Sequence, residues 1–321
     1  MPTPYPVITG PTAGGKTALA VAIGHNLRAS GRPAEVVTAD AFQIYRGMDI
    51  GTAKPTAEER QGVPHHLIDL VEPTERFTVH DWLQRAEPLI ADLRARGVTP
   101  IVVGGTNLYV KAFLDGMFEA PETTPEVAAA VRAMTQPQRR AELAEVDPKA
   151  AERIHAADER RTIRALEVFR QTGTPITMLQ AQWDAAHPAR PEALLVGLDW
   201  PTEAINARIN TRVKGMIDAG LAEEARALWG AGRLGPQARE AIGYKQLIPY
   251  LEDRLFLDLA AEQIKIDTRR LAKNQRTWLN RFRTRNGGAE GPGGSLWIRA
   301  EDKTPGEIAQ IVVAQMFPTP P

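Results

Sequence analysis

The sequence predicts an α/β protein: a P-loop core with a mainly parallel sheet flanked by helices, plus an all-helical insertion domain. Three observations predict it. Residues 6–23 join a short apolar run to a glycine-rich loop and then to an alanine-rich helical run. Apolar strand-like runs at 35–39, 100–103, 194–198 and 296–299 alternate with helical spacings, the pattern of parallel α/β sheets. Between them, residues 118–190 carry helical spacings and no strand-like run. The division that follows is 1–117 for the first part of the core, 118–190 for the insertion and 191–321 for the second part of the core, which carries a basic C-terminal helix.

Composition narrows the classes further. Of 321 residues, 43% are hydrophobic, which supplies a real core and excludes a disordered chain. Net charge is zero, so a nucleic-acid partner has to be held by local patches rather than by the field of the whole molecule. The chain has no cysteine, which removes disulfides, thiolate zinc sites and cysteine nucleophiles. No apolar stretch reaches the ~20 residues that span a bilayer. The first strand begins within a few residues of Met1, so no signal peptide is expected. A soluble, cytoplasmic protein without a membrane partner is the expectation.

Val7 to Thr9 reads as a buried strand. The loop that follows, Gly10-Pro11-Thr12-Ala13-Gly14-Gly15-Lys16-Thr17, fits G-x-x-x-x-G-K-[ST] in its required context of strand and helix. Its glycines allow a tight turn with N–H groups aimed inward, and the next helix adds the partial positive charge of its N-terminus. Lys16 would bring a full charge to a terminal phosphate and Thr17 a hydroxyl to magnesium. A glycine-rich turn that binds nothing is the plainer alternative, and the spacing and frame both favour the loop. The ligand class is phosphate; the reaction is left open by this motif alone.

Glu35 to Ala39 reads as a second strand ending in Asp40, an acid at a strand's carboxyl end, where open α/β sheets place their sites. A helix cap or turn residue is the competing role for Asp40. Residues 41–55 follow neither period and read as an ordered loop. Pro64–Val71 holds a third short strand. Its paired His65 and His66 would point to opposite faces, so hydrogen-bonded structural histidines are expected there rather than a metal site. Val79 to Arg96 reads as an amphipathic helix stopped by Gly97, and Pro100 to Val103 as a central strand. The strand leads to Gly104-Gly105-Thr106, where Thr106 offers a hydroxyl to a ligand or a helix cap.

Pro121 to Pro125 forms a break. Glu126–Met134 and Pro137–Glu145 read as short helices, and Asp147–Gly173 as one longer helix. The last puts Ile154, Ile163, Leu166, Val168 and Phe169 on an apolar side, and Arg153, Arg160, Arg161, Arg164 and Arg170 on a polar side. That arginine face is either solvated or a binding surface. Leu194–Leu198 returns to the sheet, and a helix with Thr202 as its candidate cap carries Arg208 and Arg212 one turn apart. From Thr268 to Arg285 there are basic residues and no acid, with Arg269 and Lys273 among them and Trp278 and Phe282 interleaved: a local positive stripe of the kind that meets nucleic acid, its aromatics facing the core. Asn286–Gly294 reads as a flexible loop, Leu296–Arg299 as a last strand and Pro305–Phe317 as a last helix.

These motifs together resemble the tRNA dimethylallyltransferase (tRNA isopentenyltransferase, IPP transferase) family. The resemblance runs through Gly10–Thr17, Asp40–Pro55 with its Asp-Ile-Gly-Thr-Ala-Lys-Pro run, Pro64–Asp69, Gly104–Tyr109, Arg160–Val168, Ala241–Lys245 and Thr268–Trp278. It implies transfer of a dimethylallyl group from dimethylallyl diphosphate to the exocyclic amine of the adenosine 3′-adjacent to the anticodon in tRNA. By the same resemblance the loop holds diphosphate with Mg²⁺ on Thr17, Arg212 binds the same diphosphate and Asp40 is the general base. Asp40, Ala41, Phe42, Gln43, Thr106, Arg160, Arg161 and Arg164 are the implied tRNA contacts, joined by Arg269 and Lys273 of the basic helix. A monomer is expected, since the family often acts as one. Three positions depart from the family pattern: Ala41 and Gly14, where serine is common, and Asn274, where arginine is usual. Competing readings are an ATP-using kinase of nucleosides or small metabolites, a prenyltransferase of free adenine nucleotides, and a non-catalytic RNA binder.

Overall fold

The structure, a computed structural model, describes residues 3–116, 122–185, 190–285 and 294–318. Expectations for Pro121 and for the loop at 286–293 fall outside the described residues. The chain divides into two compact units, Met1–Leu114 with Arg190–Pro321, and Asp115–Ala189.

The first unit opens with β1 (Tyr5–Thr9), α1 (Lys16–Ala29), β2 (Ala34–Thr38), a single turn α2 (Ala57–Arg60), β3 (His65–His66), α3 (Val79–Ala95), β4 (Thr99–Val103) and α4 (Asn107–Asp115). The second unit holds α5 (Pro125–Ala133), α6 (Gln136–Val146), α7 (Pro148–Arg153), α8 (Glu159–Thr172) and α9 (Ile176–Ala185). The first unit then resumes with β5 (Ala193–Asp199), α10 (Thr202–Asp218), α11 (Leu221–Gly230), α12 (Tyr244–Leu251), α13 (Leu257–Arg285), β6 (Ser295–Arg299) and α14 (Pro305–Met316).

The strand order is β3-β2-β4-β1-β5-β6, and every pairing of these strands is parallel. The three central strands explain their own sequences. β4, β1 and the first six residues of β5 are buried throughout, as strands covered on both faces must be. One face of the sheet packs on α1 and α14 through Leu19, Ile23, Leu27, Ile308 and Val312. The other carries an aromatic cluster in which the Trp82 ring lies 5.5 Å from Tyr109 and 6.0 Å from Phe113. Trp82 also donates its indole N–H to the Thr38 carbonyl at 2.8 Å, so α3 is pinned to the end of β2, two residues before Asp40. His65 and His66 turn to separate partners: His65 Nδ1 meets the Val63 carbonyl at 2.9 Å, and His66 Nε2 meets Glu35 at 2.6 Å.

In the second unit, α5 to α8 close over Val131, Leu143, Ala150, Ile154, Ala165 and Leu166. Asp147 is buried and serves two helices: it accepts the Ala150 amide at the start of α7 and the Thr177 amide and hydroxyl in α9. The expected long helix over 147–173 is two helices instead. Ile154 is extended (ψ 121°), and Arg140 takes its carbonyl at 3.0 Å. Asp158 then caps the Arg161 amide at 3.0 Å. A short acid that competes for backbone N–H groups starts a new helix more readily than it continues an old one, a preference of about 1 kcal/mol. On α8, Ile163 and Phe169 are only half-buried, while Thr162, Ala165 and Glu167 fill the inner face. A second correction concerns Thr202, which is the first helical residue of α10 and not its cap; Pro201 holds that position.

Candidate active site

The phosphate-type loop joins β1 to α1 over residues 10–15. Gly15 has φ +84°, a left-handed conformation that disfavours any side chain. A Cβ at Gly14 would lie 2.8 Å from the Pro11 carbonyl oxygen, so the serine common in the family at this position does not fit the loop in this conformation. Ala13 is also left-handed (φ 60°), at a cost of about 1 kcal/mol that the surroundings have to offset. They do so with three long-range bonds. Arg208 Nε donates to the Ala13 carbonyl at 2.8 Å, Trp200 Nε1 to the Gly14 carbonyl at 3.1 Å, and the Thr12 amide donates to Gln275 Oε1 at 2.7 Å. The Arg208 guanidinium also stacks over the Trp200 ring at 4.7 Å.

Lys16 folds back on the loop, donating to the carbonyls of Gly10 (3.1 Å) and Pro11 (2.9 Å). Because α1 begins at Lys16, the first-turn amides have no intrahelical acceptors and remain donors for an anion. Burial, with Arg212 adding repulsion, pulls the Lys16 pKa down to about 8, and Asp40 acts in the opposite direction. Arg212 is solvent-accessible yet closely surrounded by protein atoms, as a side chain lining a cleft is. Burial and Arg208 hold its pKa below the usual guanidinium range, and Glu59 opposes them. Lys16, Arg208 and Arg212 therefore form one cationic wall whose charges repel each other until an anion joins them.

Facing this wall is the turn after β2. Asp40 Oδ1 accepts the amides of Phe42 (2.9 Å) and Gln43 (3.2 Å), which fixes the carboxylate, while Oδ2 makes no hydrogen bond among the described residues. The Thr106 hydroxyl accepts the Ala41 amide at 3.2 Å, tying the turn after β4 to the turn after β2. Gln275 completes the frame, since its Nε2 donates to the Gly105 carbonyl at 2.7 Å while its Oε1 holds the loop at Thr12. One buried amide thus joins the anion loop to the Gly104–Thr106 turn. Gln275 lies inside the Thr268–Trp278 stretch of the family pattern, which does not single it out; Trp200 and Glu224 carry no such signal.

The structure brings together Gly10–Thr17, Asp40–Gln43 and Thr106 in the first unit, at the carboxyl ends of β1, β2 and β4, the place such sheets reserve for ligands, with Arg212 of α10 near Lys16. Arg269 lies on α13, where it bonds Asn210 at 3.0 Å and Glu262 at 3.3 Å; Lys273 is exposed and makes no ion pair among the described residues. Arg160, Arg161 and Arg164 belong to the second unit and are exposed on α8. Arg161 lies 3.4 Å from Asp158, Arg164 bonds the Thr123 hydroxyl at 3.0 Å, and Arg160 makes no ion pair among the described residues. Arg170 of the same helix is committed to Glu142. Among the described residues no three His, Asp or Glu side chains converge as a metal cage. The donor set suits an ion that arrives with phosphate oxygens, for which the Thr17 hydroxyl, without a hydrogen-bond partner among the described residues, is available.

The depressed Lys16 pKa has a measurable consequence. Since it lies below the unfolded value, the charged form opposes folding: the Lys16 contribution to stability is present above the unfolded pKa and is lost as pH falls through about 8. An anion in the loop restores the charge and raises the pKa. Inorganic diphosphate titrated calorimetrically near pH 8 in buffers of different ionisation enthalpy, with the ionisation of diphosphate itself subtracted, is expected to show proton uptake that Lys16→Met lacks. The same proton linkage in wild type and Lys16→Met would separate Lys16 from the anion.

Comparison with known proteins follows the same residues. The family model "IPP transferase" matches residues 43–282, and the model "Isopentenyl transferase" matches residues 5–72. A tRNA dimethylallyltransferase of Anaeromyxobacter dehalogenans (strain 2CP-C) is 46% identical over 283 residues, covering 86% of this chain and 92% of its own length. A crystal structure of the full-length tRNA isopentenylpyrophosphate transferase from Bacillus halodurans is similar with a TM-score of 0.66 at 36% identity, covering 98% of this chain and 97% of that one. A eukaryotic dimethylallyltransferase, solved acting on tRNA, shares the fold with a TM-score of 0.79 at 24% identity, over 98% of this chain and 79% of its own.

Proposed function

The chain belongs to the IPP transferase family, and from that premise we infer its reaction: transfer of a dimethylallyl group from dimethylallyl diphosphate to an adenine exocyclic amine in tRNA, with release of diphosphate. We further propose that the acceptor is the adenosine 3′-adjacent to the anticodon, and that the residues of the cleft divide the work as follows.

The diphosphate seats in Gly10–Thr17, held by the first-turn amides of α1, by Lys16 and by Arg212. The observation that carries this reading is the cationic wall of Lys16, Arg208 and Arg212 set against the fixed carboxylate of Asp40. Departure of diphosphate places several negative charges on the leaving group, and donors already in position stabilise that charge without rearrangement. Mg²⁺, where bound, neutralises part of the diphosphate charge, and Thr17 is the protein group offered to it. The adenine leaves its stack to reach the cleft. As the bond from the dimethylallyl carbon to diphosphate oxygen breaks, its electron pair leaves with diphosphate, and the amine nitrogen bonds to that carbon. The amine becomes acidic as this bond forms, and its proton passes to Oδ2 of Asp40. A carboxylate suffices as base because the proton is lost late.

Competition between labelled dimethylallyl diphosphate and ATP for the loop tests the donor assignment: displacement of the prenyl donor by prenyl diphosphates and inorganic diphosphate but not by ATP supports it, and tight ATP binding without prenyl-donor binding overturns it. The exposed Arg160, Arg161 and Arg164 of α8 supply phosphate contacts to tRNA in this reading. Arg161→Ala is expected to weaken tRNA binding and to lower the slope of log Kd against log salt by about one. An unchanged slope would mean that this face is only solvated.

A further inference from the structure

We propose that Glu224 of α11 is a positioning residue for the acceptor side of the site, acting on Asp40 through the loop of residues 43–54. The inference rests on the role of Asp40 proposed above and adds a residue that the reading of the cleft leaves out.

Glu224 is a surface-type acid in the first turn of a helix, yet its carboxylate is fully engaged. Oε2 accepts the amides of Asp49 and Ile50, each at 2.9 Å, and Oε1 accepts the Gly51 amide at 3.1 Å. Three consecutive N–H groups that converge in this way make an anion nest, and here the anion is supplied by the protein itself. Tyr244 donates its hydroxyl to Oε1. Burial and the Glu224 carboxylate hold that phenol far above the usual range, so it remains a donor at every working pH. The Tyr244 ring covers Gly51 so closely that a Cβ there would run into it.

From the nest the geometry continues to the catalytic turn. The carbonyls of Thr52 and Ala53, the next two residues, accept from Gln43 Nε2 at 3.1 and 3.0 Å. The Gln43 amide is one of the two that fix Asp40 Oδ1. Lys54 pins the same stretch from beneath, donating to the Tyr45 carbonyl at 2.8 Å and pairing with Asp49 and Asp69. The Glu224 carboxylate therefore sets one end of a hydrogen-bonded path whose other end is the Asp40 carboxylate. Glu224 also follows Arg212 across the α10–α11 junction at Ala219 and Gly220, so one helical pair carries a donor-side cation and the acceptor-side clamp.

A double-mutant cycle tests this. Glu224→Gln keeps size but turns an NH₂ toward backbone donors, and Gln43→Ala cuts the path at its middle. Each is expected to lower kcat by about ten- to hundredfold, as displacement of a catalytic group by ~1 Å does. Affinity for dimethylallyl diphosphate should be unchanged, and amide hydrogen exchange over 42–53 should accelerate in Glu224→Gln. The double variant should lose no more than the worse single, because both act on one path. Additive losses, or faster exchange with full turnover, would overturn the proposal. Should Glu224→Gln fail to fold, Tyr244→Phe, which removes one donor to the carboxylate, takes its place in the cycle with a loss of a few-fold. Asp40→Asn measured alongside separates the two ideas. An inactive Asp40→Asn with an additive cycle removes only the positioning role; an active Asp40→Asn removes the base itself.

Discussion

Asp40→Asn is expected to lower the single-turnover rate of prenyl transfer by about 10²–10⁴, while folding and donor binding persist. Asparagine is the informative replacement because its Oδ1 still accepts the Phe42 and Gln43 amides that hold the turn. What it removes is the basicity of Oδ2, the oxygen without a hydrogen-bond partner among the described residues. Asp40→Ala would also release those two amides, and the lost turn would blur the chemical effect. A rate loss with unchanged thermal midpoint and unchanged donor Kd assigns the effect to proton removal. Turnover retained within a few-fold would remove Asp40 from the chemistry.

Lys16→Met has the second largest expected effect, about 10²–10³ in transfer rate, the scale of losing one preorganised donor to a developing anion. It forfeits the bonds to the Gly10 and Pro11 carbonyls and the charge proposed above to meet the diphosphate. Stability changes little by comparison. Each lost bond costs about 1 kcal/mol, and this is offset because the free protein no longer holds a desolvated ammonium beside Arg212. The variant should therefore fold, bind donor weakly and turn over slowly. Transfer at the wild-type rate with normal donor affinity would show that the diphosphate sits elsewhere.

The core of the site was legible because its parts obey local rules. The phosphate loop declares itself in eight consecutive residues, and Asp40 stands at the end of a strand whose apolar run is plain. β4 and β5 are nearly pure apolar segments and could only be central strands. What was not legible depends on contacts between residues far apart. Gln275 lies on a helix whose sequence advertises charge, and its bond to Thr12 joins residues 263 positions apart. Arg208 was visible as the neighbour of Arg212, but its task, bracing the Ala13 carbonyl, exists only once α10 packs beside the loop. Glu224 looks like any solvated acid until residues 49–51 fold over it. The arginine face of the expected 147–173 helix read as five equivalent cations, yet Arg153 lies on α7 and bonds Gln180, and Arg170 of α8 is spent on Glu142. The break between α7 and α8 was hidden because His155–Ala157 carries neither proline nor glycine; the cap at Asp158 and the grip of Arg140 on Ile154 decide it.

The reaction itself is tested most directly by incubating the protein with Mg²⁺, labelled dimethylallyl diphosphate and unmodified tRNA, with AMP as a parallel acceptor and ATP hydrolysis followed in the same tubes. Digestion and identification of the labelled nucleoside should place the label on the adenosine beside the anticodon, with AMP and ATP untouched. Label on AMP alone, or ATP hydrolysed with no labelled tRNA, would contradict the proposed reaction.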